Sequence, residues 1–176
     1  MKMLKKMLAV VLTGAMALTL LTACGSNAVT EKDIADALND MAKAEGTNVT
    51  FTPQAKEREM ARKIAALLEG KASDNESKDE IKEILGCNEA NPKNFVWYQL
   101  ALTDGIGTSG QAVQIVYNLL NSSDAQNDSN LTNMEPADER HMGTALCKMR
   151  EENGKQVTWR VIVVTAKAEN PDPEKT

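Results

Sequence analysis

The stretch HMGTALCKMREENGKQVTWRVIVVTAK, residues 141–167, decides the fold. It divides into two apolar and β-branched runs, 141–150 and 156–167, around Asn153-Gly154. Asn-Gly between such runs is the strongest short-range hairpin signal, because a type I′ turn needs φ > 0 at both central residues. A two-residue turn there places Glu152 opposite Lys155, Lys148 opposite Trp159, Leu146 opposite Val161 and Met142 opposite Thr165. On the other face it places Cys147 opposite Arg160 and Ala145 opposite Ile162. Apolar residues fall on both faces, so the hairpin is expected to be covered on both sides.

Working back toward the N-terminus, helices supply that cover. Thr30 caps a helix whose Ile34, Leu38, Met41 and Ala42 fall at helical spacing, and Gly46 closes it. A short extended piece, NVTF (48–51), comes next. Thr52-Pro53 reads as an N-cap with Pro at the first helical position, opening a second helix with Met60, Ala61, Ile64, Ala65, Leu67 and Leu68 buried and Gly70 at its end. Ser77 with Glu80 forms a capping box for a third, carrying Ile81, Ile84 and Leu85 and stopped by Gly86. FVWYQLALT (95–103) reads as a strand, and QAVQIVYNLL (111–120) as a helix with Ala112, Val113, Val116, Leu119 and Leu120 on one face. The expected class is α+β: an α-β-α sandwich with a small antiparallel sheet, a C-terminal hairpin and helices on both faces. One domain spans 31–167, and 168–176 reads as a disordered tail.

The first thirty residues are of another kind. Lys2, Lys5 and Lys6 precede an apolar run from Met7 to Ala23 that Gly14 interrupts, too short for a comfortable membrane span of about 20 residues. A basic start, a short apolar centre and small residues before a cut describe an export signal. Leu21-Thr22-Ala23-Cys24 resembles the lipobox of bacterial lipoproteins, which implies acylation of Cys24 and removal of 1–23. Residues 24–30 would then be a flexible tether, and the lipid bilayer a partner through acylated Cys24. The expected location is extracytoplasmic, anchored to the bacterial cell membrane.

Removing 1–23 takes three lysines and no acid, so the formal charge of −5 becomes −8. An acidic chain of about 150 residues suits one domain and disfavours nucleic acid as a partner. Cys87 and Cys147 are disulfide candidates, closing a loop of about 60 residues worth up to roughly 4 kcal/mol, or else two separate buried thiols. With only His141 beside them they fall short of a metal set, and no cofactor is expected. Catalysis through His141 has no support beyond Glu139 and Arg140 at a strand start. Glu57, Glu59, Asp79, Glu80 and Glu83 sit at polar helix positions and read as solvated faces. Residues 124–135 place Asp124, Gln126, Asp128, Asn130, Thr132 and Glu135 at calcium-loop spacing, but Ser129 replaces the turn glycine and Pro136 blocks an exiting helix. Asn48, Asn75, Asn121, Asn127 and Asn130 begin glycosylation sequons, which beside a bacterial lipobox mark exposed polar loops only.

Leu38-Asn39 in the first helix, GQAVQIVYNLLNSS (110–123), NLTN (130–133) and the closing strands HMGTALC and VTWRVIVVTA resemble the CAP superfamily of cysteine-rich secretory, antigen 5 and pathogenesis-related proteins. The resemblance covers about 31–167 through soft motifs and implies an α-β-α sandwich with a ligand cleft. The family's metal-binding His and acidic positions fall here on Tyr98, Leu119 and Gln126 or Asn127, and its helix Trp on Val116. The cleft therefore lacks the family's metal set. The expected function is that of a lipid-anchored binding or interaction module, non-enzymatic because no catalytic set is visible. Its further partner is expected to be a small apolar ligand, a cell-wall component or an envelope protein. The alternatives are an envelope-polymer hydrolase working through carboxylates, or a structural calcium-loop protein.

Overall fold

The computed structural model describes residues 29–87, 92–103, 105–121, 126 and 130–171, without the side chains of 117–121. In chain order these form α1 (Glu31–Ala44), β1 (Thr50–Pro53), α2 (Ala55–Leu68), a 3-10 turn (Asn75–Ser77), α3 (Lys78–Leu85), β2 (Asn94–Leu102), α4 (Thr108–Asn121), β3 (Glu135–Arg150) and β4 (Gln156–Glu169). The four strands make one sheet in the order β1-β3-β4-β2. It is mixed rather than purely antiparallel. β4 runs antiparallel to both neighbours, but β1 pairs in parallel with β3, Thr50 with Glu139 and Pro53 with Met142.

The hairpin is present, but its turn has three residues rather than two. Arg150 pairs with Gln156, and the Glu151 N–H donates to the Lys155 carbonyl at 2.8 Å. Gly154 alone takes positive φ, +84°, while Asn153 stays out of that region and braces the loop, its Oδ1 accepting from the Lys155 N–H at 2.7 Å. A type I turn followed by a left-handed glycine is the usual three-residue solution. The register is therefore one residue off the expected one: Cys147 faces Trp159, Leu146 faces Arg160, Ala145 faces Val161 and Met142 faces Val164. Because side chains alternate, that slip regroups which residues of the two strands share a face.

Both faces are indeed covered. On one, Phe95, Trp97, Met142, Ile162, Val164 and Ala166 pack with Ile34, Ala35 and Leu38 of α1 and Ala112 and Ile115 of α4. On the other, Val96, Cys147, Met149, Val161 and Val163 pack with Ala61, Ile64, Ala65 and Leu68 of α2 and Ile81 and Leu85 of α3. Helices thus lie on both sides of the sheet, and the fold is α+β. β4 continues to Glu169, two residues past the 167 boundary.

The helix starts differ in instructive ways. Thr30 caps α1 in a reciprocal box, its hydroxyl accepting from Asp33 N–H at 3.2 Å and its own N–H donating to the Asp33 carboxylate at 2.8 Å. Thr52 and Pro53 instead end β1, an edge strand that tolerates a residue with no N–H, and Gln54 is the N-cap of α2. Ser77 does not cap α3 with its side chain, because its buried hydroxyl accepts from the Lys71 ammonium. Asn39 covers the outer edge of β1: its Nδ2 donates to the Phe51 carbonyl at 3.0 Å and its Oδ1 accepts from Phe51 N–H at 2.6 Å. An edge strand so occupied cannot pair with another chain there.

Candidate functional site: a groove at the end of the sheet

α2 does not cover its face completely. It starts level with Met142, where Gln54 N–H donates to the Met142 carbonyl at 2.8 Å, and runs toward the hairpin, where Gly70 N–H reaches Lys148 at 2.7 Å. Near its start the helix backbone rests directly on Gly143, in contact with Glu57 and Arg58. Beyond that point the strands go on alone on this face. Thr165, Lys167, His141 and Asn94 replace the apolar residues there, joined by Glu139, and they border a groove of about 850 Å³. On the opposite face the same end stays closed: Phe95 stacks on Trp97 with centroids 5.9 Å apart, and the Arg140 guanidinium lies 4.9 Å from the Trp97 ring.

The groove is shaped by an irregularity in β3. Pro136 pairs with Ala168 and Arg140 with Ala166, so Ala137, Asp138 and Glu139 together stand opposite Lys167. A bulge of this kind re-aims side chains and opens space beside a sheet. Glu135, Asp138, Glu139 and Glu169 bring four carboxylates to the rim against Lys167 and His141. His141 Nε2 lies 3.4 Å from Glu139 Oε1, a long contact between two surface side chains. A second hollow of about 610 Å³ shares Asn94 and Lys167 and adds Leu131 and Met134.

Behind the wall lies a residue that the sequence placed on a solvated face. Glu57 is 2% exposed. It is the third residue of α2 and points back toward the sheet, where its Oε1 accepts from the Thr165 hydroxyl at 2.7 Å. Its Oε2 has no hydrogen-bond partner. Along the chain, Glu57 looks like any first-turn acid of a helix, and only the close approach of α2 at Gly143 turns it inward.

A second buried polar cluster holds the N-terminal end of the domain. Arg160, 5% exposed, donates from Nε to Gln111 at 2.7 Å, from Nη1 to Thr144 at 3.0 Å and from Nη2 to the Val29 carbonyl at 2.7 Å. Burial lowers its pKa from the usual guanidinium value, opposed by Glu31 and Asp33. Glu31 accepts from Arg58 at 2.6 Å and from the Thr144 N–H at 2.7 Å. Val29 and Thr30, expected in the tether, are thus fixed to the body.

Of the other residues singled out from the sequence, Cys24 lies outside the described residues, as do Asp124, Asn127 and Asp128. Leu131 is buried in the core and Glu135 opens β3, so the twelfth calcium-loop position belongs to a strand. Tyr98 is on β2, its hydroxyl 3.4 Å from Asp74, with its pKa raised by burial and by that carboxylate. Among the described residues no group of three His, Cys, Asp or Glu is placed to hold a metal ion.

Cys87 and Cys147 are free, buried thiols of the same apolar cluster. Burial pushes Cys147 up to about 11, with Glu69 adding to it, and raises Cys87 against the pull of Lys82. Neither is expected to react with a thiol reagent at pH 8 in the native chain, and both are expected to react in denaturant. A chain silent in denaturant as well would carry the Cys87–Cys147 bond. Because the folded values lie above the unfolded one, the stability these thiols contribute is whole below about pH 9 and is lost as pH rises toward about 11.

No protein-family model, no curated protein and no solved structure matches the chain.

Proposed function

We propose that the chain is a lipid-anchored extracytoplasmic binding module that takes a polar ligand in the groove at the end of its sheet. The observation that carries this reading is the uncovered end of the α2 face, where a bulge and a run of polar strand residues border open space. A fold that merely needed stability would extend the helix over this end or shorten the strands.

The position of the groove supports the same reading. From Cys24 to Val29 the chain reaches at most about 17 Å. Arg160, the fifth of the fourteen residues of β4, holds Val29 toward the hairpin end of that strand, and Glu169 lies nine residues farther along, about 30 Å away. An acylated Cys24 therefore tethers the molecule away from the groove, which stays at the far end of the sheet, accessible from outside the membrane. The polar border favours a polar ligand over the apolar one expected from the sequence. The CAP-like motifs enter this reading only through the layering they imply, because the resemblance puts Tyr98, Leu119 and Gln126 or Asn127 where the family has its His and acidic residues.

Native mass spectrometry of the mature chain, extracted from membranes in mild detergent, tests both halves. The parent is expected to carry acyl chains on Cys24, and Cys24→Ser to lose their mass. It is also expected to retain an adduct that denaturation releases. His141→Trp, which fills the groove from a half-exposed position, should abolish that adduct without altering the fold. A bare parent chain, or an adduct indifferent to His141→Trp, would count against the groove.

A further inference from the structure

We propose that the groove recognises an organic cation, a primary ammonium or guanidinium group, and that the buried Glu57 carboxyl acts on it through Thr165. This rests on the groove being the binding site and adds the chemical class of its ligand. Glu57 is almost fully buried, its Oε2 has no partner, and among the described residues no lysine or arginine forms an ion pair with it. A buried carboxyl with one oxygen left unpartnered is unfavourable and is kept where something else repays it. Both oxygens belong to one carboxylate, so the unpartnered one lies beside the Oε1 that the Thr165 hydroxyl meets; Thr165 itself lines the groove, and Glu57 stands one residue behind that lining.

Thr165 makes the site selective. A hydroxyl has one proton and two lone pairs, and here the proton is committed to Glu57. What the Thr165 hydroxyl has left to offer a ligand is therefore acceptors only. A ligand that donates several hydrogen bonds and carries positive charge satisfies it; an anion or a carbonyl does not. At the rim, Asp138, Glu139 and Glu169 outnumber Lys167 and draw cations in. With no three ligands placed for a metal among the described residues, an organic cation fits this arrangement better than a metal ion.

The experiment is a titration of cadaverine and agmatine into the mature chain in detergent, followed through backbone amide shifts, with 1-pentanol as the uncharged control. The amines are expected to shift His141, Thr165 and Lys167 saturably, and pentanol to leave them unmoved. Glu57→Gln should weaken amine binding by roughly tenfold or more, with no loss of melting temperature. Thr165→Ser, which keeps the hydroxyl, should bind like the parent, and Thr165→Val should lose binding. Unchanged affinity in Glu57→Gln and Thr165→Val would overturn the role of the buried carboxyl while leaving the groove in place. Pentanol binding as well as the amines, or amines that leave these amides unmoved, would overturn the cation specificity; only the His141→Trp result bears on the groove itself.

Discussion

Gly143→Ala is expected to cost about 3 kcal/mol or more and to lower the melting temperature by roughly 10 °C. A Cβ at this position would lie 2.0 Å from the Arg58 nitrogen and 2.1 Å from the Glu57 carbonyl carbon. Those are backbone atoms of α2, so no side chain can rotate away, and the helix must lift off the sheet. Lifting it loosens Ala61, Ile64 and Leu68 from Val161 and Val163 and withdraws Glu57 from Thr165. Thermal unfolding by circular dichroism measures the effect. Gly154→Ala provides the contrast: its cost comes from a φ of +84° alone, with open space around the site. It should fall near 1 kcal/mol. Equal losses at both positions would mean that the contact at Gly143 is not the controlling feature.

Arg160→Leu is expected to destabilise by about 3–5 kcal/mol. The guanidinium serves Gln111, Thr144 and the Val29 carbonyl at once, so its removal leaves all three without that partner and Glu31 with Arg58 as its remaining positive neighbour. Arg160→Lys keeps the charge but has no planar fork, and should recover only part of the loss. Urea unfolding gives the free energies. Limited proteolysis supplies an independent reading, because in both variants the segment around Val29 should be released and cut early. Full stability in Arg160→Leu would mean that the cluster is replaceable by apolar packing, as some buried ion networks are.

Much of the architecture was legible because it is written as periodicity. The helices around Ile34-Leu38 and Ile64-Leu68, the strand at Phe95 and the hairpin at Asn153-Gly154 all stand where the pattern puts them. The misplaced details share one cause: several local solutions satisfy the same residues. Asn-Gly serves a two-residue or a three-residue loop equally, and the choice shifts the register by one. Thr-Pro serves a helix start or the end of an edge strand, and the parallel pairing of β1 with a strand far along the chain decides it. Ser77 suits a cap until Lys71 takes its hydroxyl.

The site was only half visible, although one signal was present. Along β4 the run Val161-Ile162-Val163-Val164 is apolar throughout, as a strand covered twice must be. At Thr165 it changes to alternation, with Thr165 and Lys167 on one side and Ala166 and Ala168 on the other. That change marks where the α2 layer ends and the groove begins. Glu57 carried no such signal. Its burial follows from the closeness of a helix to a glycine almost ninety positions later, roughly the distance at which pattern reading loses all force.

The parallel pairing of β1 with β3 also has a kinetic consequence. Thr50 meets Glu139 about 90 positions downstream, and β2 waits for β4, so each early strand has its partner in the last quarter of the chain. A chain emerging N-terminus first must therefore hold the apolar faces of α1 to α4 without the central strands until the hairpin arrives. Only when residues 135–169 are free does the sheet close, and with it both cores at once. Folding should be slow, all-or-none and late, with the apolar stripes of the first half exposed in transit, and the protein should depend on a holding chaperone until its final hairpin is released.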